Sequence, residues 1–360
     1  MKWNASTLSD YDGNRHNNFT LLRIIFAWSV LYGHSFAIQK VQGIRDPLTA
    51  LFQGSTWIGE LAVNGFFSLS GFLVAASFVR RGLLDYVLSR ALRIFPALIV
   101  CVFVSVFVLG PLLTSLAYPE YFSSEKTYSY LVNSLGYFNM QWSLPGVFEG
   151  NARPAANGSL WTLTVEVRCY VLLALVGGLG GLRNRHMASA IIIGVLLIGI
   201  YSYSDIPLLG LNPRWQRPSL FFLTGVFFYL NRDKIALDSR LAALALILAC
   251  SSFGQDWFAY VFPVSFVYLI MFVAYRSHYL RFDETVGDIS YGLYIYAWPV
   301  QQLVACYFPD KTPYFNIVVS TCLTGLLAYT SWHLIEKRML SLKTKFLRDT
   351  LPKAAESTTC

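Results

Sequence analysis

The chain has 360 residues, of which 55% are hydrophobic and 13% are charged, and its mean hydropathy is +0.48. These values exclude an ordinary soluble domain, because a chain this apolar needs lipid as its solvent. The formal net charge of +8 does not indicate a nucleic-acid-binding protein, since the basic residues lie in short segments between apolar runs and form no continuous stripe. The composition therefore predicts an all-α polytopic membrane protein.

Apolar runs recur along the chain at roughly the 20-residue length that crosses a hydrocarbon core about 30 Å thick. Taken in order they predict about ten transmembrane helices, at 21–38, 58–79, 94–117, 163–181, 188–204, 217–231, 240–253, 257–275, 287–307 and 315–336. The run 240–253 is short for a span, and 127–140 is compatible with a re-entrant or interfacial helix. Nine or eleven spans are therefore alternatives.

The distribution of Lys and Arg predicts the orientation, because basic residues are retained on the cytoplasmic side during insertion. With the N-terminus inside, the inner segments hold 19 basic residues and the outer loops hold 7, and the remaining two lie within predicted helices. Both termini are thus predicted to be cytoplasmic. We expect a cytoplasmic segment 1–20, a membrane domain 21–338 and a cytoplasmic tail 339–360. The six cysteines lack CxxC spacing, and no metal site is predicted.

The first predicted helix carries two ionisable side chains, Arg23 and His34. Eleven residues of helix separate them by about 16 Å along the axis and by about 20° in azimuth, so they share one face. Ionisable groups inside apolar spans usually mark a cavity or a partner. We interpret the pair as part of a polar path, with His34 as a candidate general base. A snorkelling Arg23 and a packing role for His34 are the alternative interpretations.

The segment SLWTLTVEVRCY places Trp161 and Glu166 at the outer start of the fourth predicted helix. Glu166 lies about 7 Å inward from that start, a depth comparable with that of His34. We predict that the two side chains meet, so that the carboxylate orients the imidazole. A structural ion pair between Glu166 and Arg168 is the alternative.

The segment VRRGLLDYVLSRALRIFP, between the second and third predicted helices, contains Arg90 and Arg93 at a spacing of three residues. On a helix both would face one phosphate-rich ligand, although positive-inside sorting also explains these charges. Weaker candidates for substrate or oxyanion contacts are Ser70, Trp161 and Tyr291. Close helix packing at FFSLSGFL and aromatic packing at ISYGLYIYAWPV are the alternatives for Ser70 and Tyr291.

In their order along the chain, these segments resemble the acyltransferase 3 family of integral membrane acyltransferases. Arg23 and His34 match the family's Arg, ten residues, His signature, and FFSLSGFL matches its second-helix segment. RALRIFP, SLWTLTVEVRCY, and ISYGLYIYAWP with LIEK match its later elements. Two positions depart from the pattern: Ala297 stands where many relatives have His, and Arg338 where Pro often follows LIEK.

The resemblance implies transfer of an acyl group, usually acetyl, from cytoplasmic acyl-CoA to a hydroxyl of an envelope or exported glycan, which can be lipid-linked. It implies a multi-pass protein of the bacterial inner membrane with no tightly bound cofactor and with acetyl-CoA as donor substrate. His34 would be the general base oriented by Glu166, and Arg23, Arg90 and Arg93 would bind the donor. An acyl-histidine intermediate is a competing mechanism.

A transporter or flippase of a lipid-linked glycan is the main alternative function, because it also needs buried charges along a polar path. A member of the family that has lost catalysis and serves as a sensor is a third, against which the intact Arg23 and His34 argue. Dependence on acetyl-CoA separates the enzyme from both.

Overall fold

The structure, a computed structural model, describes residues 6–14, 16–135, 140–201 and 213–350. Within these residues it is helical, and a single bridge between Thr7 and Ala236 is its only β pairing. The main helices are α1 Phe19–Ile38, α2 Ile58–Val104, α3 Trp161–Gly178, α4 Arg185–Tyr201, α5 Pro213–Leu230, α6 Ser239–Ser252, α7 Phe258–Arg276, α8 Ser290–Tyr307, α9 Pro313–Ser331 and α10 Lys337–Thr350. The predicted all-α membrane class is confirmed.

Helix α2 consists of two arms that fold back on each other at Gly82. Gly82 has φ 79° and ψ 177°, a conformation that favours glycine because it has no Cβ. Ser70 and Arg90, which a straight helix would hold about 30 Å apart, line one cavity. The predicted loop at 80–93 is therefore helical on both sides of a one-residue break. The second arm continues through a π-helical turn, Ser105–Leu109.

Five of the described helical stretches are long and apolar enough to cross a membrane, namely Phe19–Ile38, Ile58–Leu113, Trp161–Gly178, Phe258–Arg276 and Pro313–Lys343. Helices α4, α5, α6 and α8 lie where spans were predicted but are shorter or more polar. The predicted helix order is therefore found in the described chain. The number of spans stays a prediction.

Three further segments are compared with the sequence predictions: 127–140, the end of 188–204 and the predicted tail. In the segment 127–140, where a re-entrant or interfacial helix was an alternative, the structure has the short α-helix Glu125–Ser129 and the 3₁₀ helix Tyr130–Leu135, and residues 136–139 lie outside the described residues. The end of the predicted helix 188–204 also lies outside them. The predicted tail begins as helix α10, where Lys343 Nζ lies 2.8 Å from Asp85 Oδ2.

Helices α2 and α5 pack with their backbones almost in contact. A Cβ added to Gly71 would lie 2.0 Å from the carbonyl oxygen of Phe222, and one added to Gly225 would lie 2.2 Å from that of Ser68. Small residues permit such close approach between helices in membranes. The small residues of FFSLSGFL thus serve helix packing, and Ser70 beside them is turned toward a cavity.

Buried amides fix the C-terminal end of α1 against α8 and α9. Gln301 Nε2 donates to the carbonyl oxygen of Leu31 at 2.8 Å and to Ser35 Oγ at 2.6 Å. Asn316 Nδ2 donates to Gln39 Oε1 at 3.2 Å. Buried polar networks of this kind hold neighbouring helices in one register. They set the position of His34 within the bundle.

Candidate active site

A small cavity lies near the N-terminal end of α1, between α1, both arms of α2, α3 and α8. Its volume is about 100 Å³. We call it the basic cavity, because Arg23, Arg90 and Arg93 all line it, and Ser70, Glu166, Tyr170 and Tyr291 complete its polar wall. The sequence thus predicted the group of arginines that the fold brings together.

Two of the three arginines are held by carboxylates that the sequence analysis did not select. Asp288 Oδ2 lies 2.9 Å from Arg23 Nη2 and 2.8 Å from Arg93 Nη2, and Glu336 Oε2 lies 3.1 Å from Arg93 Nη1. Burial alone would raise the pKa of the Asp288 carboxyl, but the guanidinium groups of Arg23 and Arg93 outweigh it and lower that pKa. This ion-pair cluster ties α1 and α2 to the segment just before α8 and to the π-helical turn Trp332–Glu336 that follows α9.

Arg90 differs from its two neighbours. Its guanidinium lies 5.8 Å from the centroid of the Tyr170 ring, and within the described residues it forms no ion pair or hydrogen bond. Arg90 is partly exposed, and its Nε atom is buried without a hydrogen-bond partner, so the guanidinium favours an anionic ligand. Arg90 and Arg93 were the predicted phosphate-binding pair. Of the two, only Arg93 forms ion pairs within the described residues, so Arg90 is the one whose charge is available to a ligand.

Glu166 belongs to the basic cavity. Its Oε1 accepts a hydrogen bond from Ser70 Oγ at 3.1 Å and a second from the hydroxyl of Tyr170. Ser70 and Tyr170 are also bonded to each other, with 2.6 Å between their oxygens. The carboxylate and two hydroxyls form one small network facing Arg90.

Tyr291 lines the same cavity, but its hydroxyl is already used. It donates to the carbonyl oxygen of Ile94 at 2.9 Å, two residues before Pro96 in the second arm of α2. Its ring lies 5.8 Å from the Arg93 guanidinium. The hydroxyl of Tyr291 is thus not directed at a ligand, which disfavours the predicted oxyanion role.

A much larger cavity lies at the opposite end of α1. It has two adjoining compartments of about 1120 Å³ and 690 Å³. We call it the aromatic vestibule, because three tryptophans and His34 line both compartments; the residues common to the two are His34, Ala37, Trp57, Trp142, Arg153 and Trp161. The predicted substrate-contact residue Trp161 is therefore placed beside His34.

His34 is held in the vestibule by rings. The indole of Trp298 meets it edge to face with 4.8 Å between ring centroids, and that of Trp57 lies at 5.9 Å. Trp298 Nε1 is anchored on the carbonyl oxygen of Ala155 at 2.9 Å. The Nδ1 atom of His34 is buried and makes no hydrogen bond with the described residues. A ring nitrogen so placed is left for a ligand or for a proton.

The predicted contact between His34 and Glu166 is not formed, because the two side chains line different cavities. Equal depth on two helices does not fix azimuth, and the azimuth of Glu166 turns it toward Ser70 and Tyr170. His34 is accordingly positioned by aromatic packing rather than by a carboxylate.

A shared wall separates the two cavities. Val63 and Tyr294 line both the basic cavity and the smaller compartment of the vestibule. The hydroxyl of Tyr294 donates to the carbonyl oxygen of Ser159 at 2.9 Å and is hydrogen-bonded to Thr162 Oγ1 at 2.5 Å. The cavities therefore lie back to back, with one layer of side chains between them.

The sequence analysis did not select Trp57, Trp298 and Tyr294, which line these cavities. It also did not select Asp288 and Glu336, which pair with arginines of the basic cavity. Glu336 carried a signal, since it is an acidic residue within the apolar LIEK segment. The aromatic residues carried none that separates them from ordinary packing, because an interface belt has the same composition.

Comparison with known proteins gives one family match and three similar curated proteins. The acyltransferase 3 model, described as an acyltransferase domain, matches residues 16–333. The O-acetyl transferase of Shigella phage Sf6 is 30% identical over 344 residues, which cover 91% of this chain and 97% of that protein. Nodulation protein 10 of Rhizobium leguminosarum bv. viciae is 26% identical and covers 94% and 97% of the two chains.

A third similarity is to YrhL of Bacillus subtilis, a candidate peptidoglycan O-acetyltransferase. It is 23% identical and covers 78% of this chain but 50% of YrhL. No solved structure matches the chain.

Proposed function

The chain belongs to the acyltransferase 3 family, and we propose that it moves an acetyl group from acyl-CoA to a hydroxyl of an envelope or exported glycan. The observation that carries this proposal is the shared wall of Val63 and Tyr294 between the basic cavity and the aromatic vestibule. A donor and an acceptor approaching from opposite ends of the bundle meet there. The arrangement suits transfer from a cytoplasmic donor to an acceptor on the far side of a bacterial inner membrane.

The donor side is the basic cavity. At about 100 Å³ it accepts the acyl thioester end of acyl-CoA and leaves the nucleotide outside. Arg90 is the cation available to an anionic or carbonyl group of the donor, because Arg23 and Arg93 are engaged by Asp288. Arg23 and Arg93 then shape the donor site rather than bind phosphate directly.

The acceptor side is the aromatic vestibule. Four tryptophans provide flat apolar surfaces for sugar rings, and Arg153 and His34 add polar groups for hydroxyls; the tryptophans are Trp57, Trp142, Trp161 and Trp298. A large concave site lined by both aromatic and polar or charged side chains suits a bulky acceptor with many hydroxyls.

His34 is proposed as the general base. It takes the proton of the acceptor hydroxyl while that oxygen attacks the thioester carbonyl carbon; the C–S bond then breaks, and the CoA thiolate leaves and receives the proton. The product is an acetyl ester. In this scheme Glu166 is a positioning residue that holds the hydroxyls of Ser70 and Tyr170 at the donor end.

The test uses proteoliposomes supplied with labelled acetyl-CoA outside and glycan acceptor inside. Wild type and the exposed-histidine control His186→Ala should transfer label, and His34→Ala should lose about 10²–10⁴-fold in rate. Full transfer by His34→Ala would exclude the proposed base. If the wild-type protein transfers no label but moves glycan across the bilayer without acetyl-CoA, the transporter alternative is supported instead.

A further inference from the structure

A third cavity lies beside the aromatic vestibule, between α4, α5 and α7. Its volume is about 320 Å³ and its lining is almost wholly apolar, including Ile193, Leu197, Leu220, Phe221, Phe262 and Val264. We call it the side cavity. Ile193, Leu197 and Val264 are 45%, 55% and 52% exposed, so the side cavity opens on the flank of the bundle. In a membrane that flank faces hydrocarbon.

An ion pair separates the side cavity from the vestibule. Arg217 lines the side cavity, Glu60 lines the vestibule together with His34, and Arg217 Nη1 binds Glu60 Oε1. Both side chains keep about a quarter of their surface exposed, 29% for Arg217 and 26% for Glu60. The polar end of the side cavity therefore leads directly to the compartment that holds His34.

Asn64 is an independent sign that the side cavity takes a ligand. It lies one helical turn from Glu60, is 3% exposed and lines the side cavity. Its Oδ1 is buried and accepts no hydrogen bond from the described residues. Buried amide oxygens are almost always satisfied, so this one, at the end of the side cavity near Glu60, is available to a hydroxyl of a ligand's polar head and not to an apolar chain.

We propose that the side cavity holds the single hydrocarbon chain of a lipid-linked acceptor. The polar head of that acceptor passes over the Glu60–Arg217 pair into the vestibule and presents its hydroxyl to His34. An apolar chain matches the apolar side cavity, which is open to lipid. A hydroxyl-rich head matches the polar end of that cavity, where the Glu60–Arg217 ion pair lies next to the compartment that holds His34. This inference rests on the proposed function, and it specifies the acceptor class for the same site.

The experiment is photo-crosslinking of the full chain in lipid nanodiscs with a polyprenyl phosphate that carries a diazirine on its chain. We expect label on peptides of α5 and α7, displaced by unlabelled polyprenyl phosphate and not by phosphatidylethanolamine. In Leu220→Trp, which fills the side cavity, labelling should fall about tenfold, equivalent to about 1.4 kcal/mol. Leu175→Trp, a change of the same kind at an exposed position on α3, should label like wild type.

Two results would overturn the inference: equal displacement by phosphatidylethanolamine, which would mean a bilayer lipid only, and unchanged labelling in Leu220→Trp. Val264→Trp, at the half-exposed rim, repeats the test in case the buried tryptophan prevents folding. Because crosslinking does not require acetyl transfer, its failure is distinguishable from failure of the proposed function. The latter would appear as normal, specific labelling without transfer from acetyl-CoA.

Discussion

The basic cavity and the aromatic vestibule lie at opposite ends of α1 and differ in how their side chains are held: by ion pairs and hydrogen bonds in the first, and by aromatic packing in the second. In the basic cavity two of the three arginines are paired with Asp288, and Glu166 accepts hydrogen bonds from two hydroxyls. In the vestibule the side chain of His34 makes no hydrogen bond with the described residues and is held by indole rings, and the larger compartment alone has about eleven times the volume of the basic cavity. A small, closed polar network suits one constant ligand, and a wide aromatic space suits a bulky one.

The largest expected effect concerns the closed network. Replacing Asp288 by Ala leaves Arg23 and Arg93 buried without their shared carboxylate, which should destabilise the protein by about 3–5 kcal/mol. The measurement is the temperature at which detergent-solubilised protein loses its monodisperse elution peak. Asp233→Ala, which removes a carboxylate from a surface ion pair with Arg185, is the control and should change this temperature little.

The same carboxylate should make the stability of the folded protein fall at acid pH. Because the folded-state pKa of Asp288 is lowered, its contribution is fully present above the unfolded pKa and is lost as pH falls through the folded value. Asp288→Asn should show a weaker dependence on pH in this acid range. An identical acid profile in wild type and Asp288→Asn would contradict the role assigned to this ion-pair cluster.

The next effect concerns the wall between the cavities. Val63→Phe places a ring where Val63 borders both spaces, so acetyl transfer should fall by more than about tenfold, since added side-chain volume in a packed site costs about 1–3 kcal/mol. Binding of acetyl-CoA should be nearly unchanged. The two measurements are labelled transfer and equilibrium binding of acetyl-CoA.

Val63→Ala is the matched control, because it removes side-chain volume from the wall between the cavities and should preserve transfer. If Val63→Phe transfers at the wild-type rate, the donor and acceptor do not meet at this wall. If it loses acetyl-CoA binding as well, the wall is part of the donor site alone.

The smallest effect concerns the unpaired cation. Arg90→Gln should raise the KM for acetyl-CoA by about tenfold, since one hydrogen bond to a charged group is worth about 1.5–3 kcal/mol. It should leave the thermal stability unchanged, because Arg90 forms no ion pair within the described chain. Steady-state kinetics at saturating acceptor measures KM and kcat separately.

Arg81→Gln, in the same arginine-rich segment but largely exposed, serves as the comparison and should leave KM as in wild type. An unchanged KM in Arg90→Gln would remove Arg90 from the donor site. A loss of stability with unchanged KM would make it a structural residue like Arg93.

Much of the architecture was predictable because the membrane imposes a strong pattern. The predicted helix 21–38 corresponds to Phe19–Ile38, and 257–275 to Phe258–Arg276. The shared face of Arg23 and His34 also followed from helical geometry, and the two side chains do line cavities at opposite ends of α1. The helical segment around 80–93 was missed, because charge density was interpreted as a loop while the break is confined to Gly82.

The sequence by itself determined the helix order and the candidate polar groups, since hydropathy and helical periodicity are local properties of the chain. The family assignment also follows from the sequence alone, through the comparison with known acyltransferases. The tertiary structure alone decided which polar groups meet. It paired Asp288 with Arg23 and Arg93, turned Glu166 toward Ser70, and opened a side cavity beside the vestibule. These contacts depend on how helices distant in sequence are rotated about their axes, and no pattern within one helix encodes that rotation.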